Sequence, residues 1–183
     1  RSFEYSISKH PFIGVVLTCC KTLAASFNQS TQFREQIIAN QLATNEPLRS
    51  LKQDVITRWN SRLLNLKSIA DARQAITLHV SQYPDDPHHG LITRCSKKFW
   101  EMIGHLINVL EPYEDATKTL SADKEPTLHL VIPEYLAIID FLRNYCLNAT
   151  IDDSLSPMIR HLVKSQIRCL SNKMKPWLPA ERM

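Results

Sequence analysis

Hydrophobic residues recur every three or four positions along most of the chain, which is the pattern of helices that bury one face. The first such stretch covers roughly residues 12–41. Its predicted buried face comprises Phe12, Val16, Leu17, Cys20, Leu23, Ala24 and Phe27. The pattern breaks at residues 28–31, where Ser30 or Thr31 is expected to cap a second helix. That helix is predicted to face inward with Phe33, Ile37, Ile38 and Leu42.

A second amphipathic stretch runs from about Asp54 to Gln82. Its predicted buried stripe comprises Trp59, Leu63, Leu64, Leu66, Ile69, Ala70, Ile76 and Val80. Residues 83–90 contain two prolines and a glycine, which cannot continue a helix. This segment therefore predicts a loop.

Three further helices are predicted, over about Ser96–Leu120, Thr127–Leu147 and Ser156–Lys173. Pro112 should bend or restart the first of them, because proline lacks the N–H that an interior helical residue donates. Pro133 should likewise kink the second helix or delay its start beyond Thr127, its predicted N-cap. Leu128 is expected to face inward.

These patterns predict an all-α chain, an irregular bundle of about five to seven long helices, because no alternating strand pattern is found. We expect a single domain over residues 1–175 and a disordered tail over residues 176–183. A start at Arg1-Ser2 without Met is expected of a piece of a longer protein.

Composition narrows the classes of site. Only three glycines are present, which argues against glycine-rich phosphate loops. The net charge of +4 is compatible with a polyanion partner without requiring one. Five cysteines without a CxxC pair or metal spacing fit reduced thiols of the cytosol or nucleus. The apolar run Phe12–Cys20 is shorter than the ~20 residues of a membrane span, so no membrane association is expected.

The most informative polar cluster lies in the run Asp54-Val55-Ile56-Thr57-Arg58-Trp59-Asn60-Ser61. Trp59 offers a flat ring for an unstacked base, worth about 1–3 kcal/mol per base, and Arg58 can contact phosphate through its planar fork. Alternatively, Trp59 fills a gap between helices while Arg58 reaches water, which is the commoner role of such a pair. Asp54 is expected to be structural, capping a helix that begins near Val55.

Other polar clusters give weaker evidence for a functional site. Asp85-Asp86 and His88-His89 have metal-ligand chemistry, but they share one short loop, so a solvated loop is favoured over a metal site. Cys19-Cys20 is predicted to be one core thiol and one half-exposed thiol. No catalytic triad is legible, and no acidic residues stand on strand-like segments that would bring them together. We therefore expect no catalytic residue, metal, cofactor or small-molecule substrate in this chain.

The run Asp54–Ser61, followed by Leu63 and Leu64, resembles the D-V-x-T-R-W-N-S signature of hAT-superfamily DNA transposases. Host proteins derived from them, many with BED-type zinc fingers, carry the same signature. Phe99–Ser121 is similar to the family's W…L…L-x-P-F/Y-x-x-A-T-x-x-L-S stretch, and Pro126–Pro133 to its P-T-x-x-x-x-x-P continuation. With Lys21–Thr31 upstream, the resemblance covers about residues 15–170.

The resemblance implies that the chain is the helical insertion domain of an RNase H-like transposase core. The family's catalytic Asp, Asp and Glu, which hold magnesium or manganese, would then lie outside the chain. The implied partner is DNA at transposon ends or in a hairpin, inside the nucleus, with a homo-oligomeric full-length parent. Arg62-Leu63 and Lys97-Lys98 depart from the family pattern, as in a decayed or domesticated copy.

The implied DNA-contacting residues are Arg58, Trp59, Asn60 and Arg62, and the implied structural residues are Asp54 and Thr57. Two functions stay open. The first is a DNA-binding insertion domain of a transposase or a transposase-derived nuclear protein. The second is a non-catalytic helical module of a domesticated transposase that binds other proteins.

Overall fold

The computed structural model describes residues 10–55, 60–83, 85, 97–121, 127–148 and 155–177. Within these ranges the chain forms helices and no strand, which confirms the all-α class. The α-helices are α1 (Pro11–Gln29), α2 (Thr31–Ala43), α3 (Ser61–Asp71), α4 (Arg73–Gln82), α5 (Lys97–Leu120), α6 (Val131–Asn148) and α7 (Ser156–Met174). Short 3-10 helices lie at Leu128–Leu130 and Lys175–Trp177.

Contacts divide the chain into two compact units. The N-terminal unit is Phe12–Ile107, and the C-terminal unit is Asn108–Met183 together with Arg1–Pro11. Helix α5 has residues in both. The single domain over residues 1–175 stays a prediction, and most of the predicted tail, residues 178–183, lies outside the described residues.

Helix α1 buries a broad face in the N-terminal unit. The buried residues are Ile13, Val16, Cys19, Cys20, Leu23, Ala24 and Phe27. Cys19 and Cys20 are both buried, so the prediction of one half-exposed thiol is wrong. Adjacent helical positions point about 100° apart, so burying both requires packing on more than one side of the helix. Burial raises the pKa of the Cys20 thiol, which makes it a poor nucleophile.

By length and composition alone, α1 could cross a membrane, a property that the run Phe12–Cys20 did not predict. The helix stays apolar beyond Cys20 because Leu23, Ala24 and Phe27 continue its buried face. These residues are at most 2% exposed, and the Cys20 carbonyl accepts a hydrogen bond from Asn65 Nδ2 at 3.4 Å. Burial of seven residues within the folded unit accounts for part of the apolar composition.

Helix α2 begins and ends with local hydrogen bonds. Ser30, one of the two predicted candidates, is its N-cap, and its Oγ accepts from the Phe33 N–H at 3.2 Å. At the other end Asn45 adopts a positive φ of 54°, and the Glu46 N–H donates to the Gln41 carbonyl at 2.9 Å. This αL turn closes the helix as a Schellman motif. Leu42, predicted to face inward, is 60% exposed.

The turn after α2 brings Glu46 to the start of α4. The Glu46 carboxylate accepts hydrogen bonds from the backbone N–H groups of Gln74 at 2.7 Å and Ala75 at 2.9 Å. Two N–H groups that an isolated helix leaves unsatisfied are thereby capped by a negative charge at the positive end of the helix dipole. A residue outside the helix therefore stabilises its start.

The predicted helix over residues 54–82 is two helices. Helix α3 begins at Ser61, with Asn60 as its N-cap, and the chain breaks at Ala72 before α4. Val55 is not helical, and residues 56–59 lie outside the described residues, so the prediction that Asp54 caps a helix near Val55 stays a prediction. Leu64, predicted to be buried, is 44% exposed.

The prolines sit differently in the two long helices. Helix α5 continues through Pro112 without restarting, whereas α6 begins at Val131, so Pro133 lies in its first turn, where an N–H is not needed. The later start predicted for that helix is confirmed. Thr127 makes no side-chain cap; its hydroxyl donates to the Leu120 carbonyl at 2.9 Å. Leu128 is 82% exposed rather than inward.

Candidate nucleic-acid interface

The predicted DNA-contacting residues fall on both sides of a boundary of the described structure. Thr57, Arg58 and Trp59 lie outside the described residues, whereas Asn60 and Arg62 lie at the start of α3. The structure therefore describes the two ends of the Asp54–Ser61 run, residues 54–55 and 60–61.

The Ser61 hydroxyl joins those two ends. Its Oγ accepts from the Val55 N–H at 2.8 Å and lies 3.0 Å from Asp54 Oδ1 and 2.7 Å from the Val55 carbonyl. A hydroxyl carries one proton, so it donates to one of these two oxygens at a time. Ser61 is 7% exposed, so water competes weakly for these bonds. The residues before and after 56–59 are thus held to each other.

Two more polar residues of α3 continue this contact. Asn65 Nδ2 donates to the Lys52 carbonyl at 2.6 Å, and Ser68 Oγ accepts from the Lys52 N–H at 2.9 Å. Ser68 Oγ in turn donates to the Asn65 carbonyl at 2.8 Å. Both side chains are buried, at 2% and 6% exposure.

Ser61, Asn65 and Ser68 stand at i, i+4 and i+7, so they lie on one face of the helix and form a polar row beside its buried leucines. This face, which we term the α3 clamp, satisfies backbone groups of the non-helical residues 51–55 that no strand or helix partner would otherwise satisfy. The sequence contained the signal, three small polar residues at helical spacing among leucines. No structural role was predicted for any of these three residues.

Arg62 and Asp54 add an ion pair beside the clamp. Arg62 Nε lies 3.4 Å from Asp54 Oδ2, with the two side chains 27% and 13% exposed. Asp54 therefore links both to Ser61 and to Arg62, which is a structural role. The pair gives Arg62 a partner within the protein, which weakens its case as a free DNA contact.

The N-terminal unit also has a groove of about 610 Å³ between α4 and the start of α5, and its lining includes two cations. Its lining includes Arg73, Gln74, Thr77, Ser81, Lys97 and Trp100. The Arg73 guanidinium lies over the Trp100 ring, 5.4 Å from its centroid, which orients the charge by a cation–π contact. Lys97 forms an ion pair with Glu101, with Lys97 Nζ 3.7 Å from Glu101 Oε1.

Among the described residues, no group of three or more His, Cys, Asp or Glu side chains is placed to hold a metal ion. Of the sequence cluster at 85–89, only Asp85 is described; Asp86, His88 and His89 lie outside the described residues. Burial lowers the pKa of His105. The expectations of no metal, no cofactor and no catalytic residue stay predictions.

No protein-family model matches the chain. The chain is similar to a protein of Talaromyces stipitatus named "Putative transcriptional regulator tpeD", with 32% identity over 117 residues. The matched segment is 63% of this chain and 13% of the fungal protein, so the chain corresponds to a small part of that relative's length.

Proposed function

We propose that this chain is a DNA-binding helical domain of a nuclear regulatory protein, and that the segment carrying Arg58 and Trp59 contacts the DNA. The α3 clamp is the observation that carries the proposal. It holds Val55 to Ser61, so the five residues between them have anchored ends. Anchoring lowers the entropy lost when a segment orders on a ligand. Similarity to a segment of a protein named as a transcriptional regulator supports a DNA-related role.

The finer form of the proposal follows the hAT resemblance. The chain would be the helical insertion domain of a hAT-type transposase or of a host protein derived from one. Trp59 would stack on an extruded base of hairpin or transposon-end DNA, which offsets part of the cost of unstacking that base. Arg58 would contact the adjacent phosphate. Catalytic acids and their magnesium or manganese would belong to other parts of a homo-oligomeric parent.

Asn60 and Arg62 take secondary roles in this proposal. Asn60 precedes α3 as its N-cap and follows Trp59 directly, so it is placed to contact the same nucleotide. Arg62 is held by Asp54, with Arg62 Nε 3.4 Å from Asp54 Oδ2. We expect Arg62 to contribute to the position of the segment more than to affinity.

The test is binding of the full chain to a labelled DNA hairpin and a matched linear duplex at one salt concentration, followed by fluorescence anisotropy. Trp59→Ala should weaken hairpin binding by roughly 5- to 150-fold, the equivalent of about 1–3 kcal/mol for one stacked base. Trp59→Phe should retain most of the affinity because a π face remains. Equal hairpin affinity for the wild-type chain and Trp59→Ala would contradict the stacking role.

A charge control separates a specific contact from general attraction. Arg58→Ala and Arg49→Ala remove the same charge from the same unit, and Arg49 is exposed and paired with Asp71 at 2.7 Å. Arg58→Ala should weaken binding to hairpin and duplex by more than Arg49→Ala does. Identical losses would indicate that Arg58 acts through net charge alone.

A protein-binding module is the second candidate, and exposed apolar side chains of the C-terminal unit favour it. Leu147 is 78% exposed and Phe141 44%, on α6. Phe141 also lines a groove of about 270 Å³ with Pro112 and Ala137. This function predicts that Phe141→Ser removes a protein partner without changing DNA affinity, which co-purification from a nuclear extract together with the anisotropy assay would measure.

A further inference from the structure

Helix α7 differs from the rest of the chain in its charge. It contains four basic residues and no Asp or Glu, whereas the whole chain is nearly balanced, with 22 Lys and Arg against 18 Asp and Glu. A solvated helix face usually mixes both signs. The excess of positive charge is therefore specific to α7 and does not follow from the composition of the whole chain.

The cations lie opposite the buried side of α7. The helix buries Ile159, Leu162, Val163, Gln166, Leu170 and Met174. Arg160, Lys164 and Arg168 follow each other at i, i+4 and i+8, and all three are exposed. Each step advances about 6 Å along the helix, and Lys175, two turns beyond Arg168, extends the row. We term these four residues the α7 stripe.

The stripe has no acidic partners among the residues that the structure describes. Arg160 donates through Nε to Ser156 Oγ at 2.9 Å, a neutral acceptor. Elsewhere, exposed cations are close to carboxylates: Lys118 lies 3.5 Å from Glu114 and Arg143 lies 3.4 Å from Asp140. Within the described residues, the positive charge of the stripe is therefore not neutralised by a carboxylate.

We propose that the α7 stripe binds the phosphate backbone of duplex DNA. Duplex DNA carries about one negative charge per 1.7 Å of axis, so a straight row of cations at about 6 Å spacing meets several phosphates at once. Such contacts position a protein on DNA without reading its sequence. This inference deepens the proposed function and rests on it for the identity of the polymer; the stripe itself lies on α7, in the C-terminal unit.

Cys146 of α6 provides a reporter beside the stripe. Burial raises the pKa of this half-buried thiol, and the nearby charges of Arg160 and Lys164 pull it back down, which places both cations close to it. A bound phosphate chain would neutralise these cations and cover the thiol. Because the thiolate is the reactive species, both effects slow alkylation of Cys146.

The test compares two triple variants of the full chain that carry the same net charge. Arg160→Gln/Lys164→Gln/Arg168→Gln lowers the net charge from +4 to +1, that is 4 − 3, and Lys21→Gln/Lys118→Gln/Arg143→Gln does the same with exposed cations elsewhere. Anisotropy on a duplex of arbitrary sequence is measured across a series of salt concentrations. Thermal melting confirms that both variants fold.

The stripe variant should make the log–log salt dependence shallower by about 2 to 3, because each lost phosphate contact removes about 0.9. The control variant should change the slope by less than one contact, and Arg160→Lys/Arg168→Lys should keep the wild-type slope. Peptide-resolved alkylation should show duplex-dependent protection of Cys146, with half-buried Cys169 unchanged as an internal reference.

Equal slopes for the two triple variants, or no protection of Cys146, would overturn the proposal. Binding of vesicles with anionic lipid in place of duplex DNA, lost in the stripe variant, would overturn it in favour of a membrane surface. The two sets of variants distinguish the stripe proposal from the proposed function. If Trp59→Ala loses hairpin affinity while the stripe variant keeps its slope, the proposed function stands and the stripe inference fails.

Discussion

Replacing Ser61 by Ala tests whether the α3 clamp holds the Asp54–Ser61 run. The change removes the acceptor of the Val55 N–H and the donor to Asp54 or the Val55 carbonyl. Ser61 fills a site that is 7% exposed, and alanine fits the same space, so the effect reports hydrogen bonds rather than packing.

The magnitude follows from these partners. A net hydrogen bond contributes about 0.5–1.5 kcal/mol, and leaving a buried partner unsatisfied costs about 1–3 kcal/mol. Val55 is 42% exposed, so water can reach part of its backbone and the lower half of that range applies. We expect Ser61→Ala to lower the free energy of unfolding by about 1–2 kcal/mol.

Urea denaturation followed by circular dichroism measures this loss as a fall in midpoint at constant m-value. Ser81→Ala is the matched control, because Ser81 is exposed on α4 and its hydroxyl donates only to the local Leu78 carbonyl at 2.7 Å. Equal midpoints for Ser61→Ala and Ser81→Ala would refute the clamp. A destabilised Ser61→Ala chain that keeps wild-type hairpin affinity while folded would refute its role in positioning Arg58 and Trp59.

Two further predictions concern helix ends and interiors. Glu46→Ala should destabilise the chain by about 0.5–2 kcal/mol, the usual cost of losing a helix cap, whereas Glu35→Ala, at an exposed position of α2, should change the urea midpoint little. Pro112→Ala should raise the melting temperature, because an interior proline costs a helix about 3 kcal/mol. Pro133→Ala should not raise it, because Pro133 lies in the first turn of α6. A lower melting temperature for Pro112→Ala would contradict this and show that Pro112 stabilises the folded chain.

Much of the helical content could be predicted from periodicity because each helix buries its own apolar face. The last helix was predicted over Ser156–Lys173 and runs over Ser156–Met174, and residue type narrowed the cap of α2 to Ser30 or Thr31, of which the structure has Ser30. These features are local: the residues that determine them lie within one or two turns of each other.

The break at Ala72 could not be predicted in this way. No proline or glycine marks it, and the start of α4 is capped by Glu46, which lies in a turn remote in sequence. The start of α3 was placed too early for a similar reason. Asp54 has the chemistry of a cap, and its partners among the described residues are the side chains of Ser61 and Arg62, seven and eight positions further along the chain. A long-range polar contact therefore marks the start of α4, and side-chain contacts across seven and eight residues lie at the start of α3.

The clamp also changes what the D-V-x-T-R-W-N-S resemblance can discriminate. Asp54 and Ser61 bond to each other, so they would be needed by an active transposase, a regulator or a protein-binding module that keeps this fold. Their presence therefore favours the fold without favouring one function. Arg58 and Trp59 lie outside the described residues, and the proposed functions differ in what they require of this pair. Hairpin binding by Trp59 and Arg58 variants consequently decides between them, whereas variants of Asp54 or Ser61 would reduce any function that depends on a folded α3.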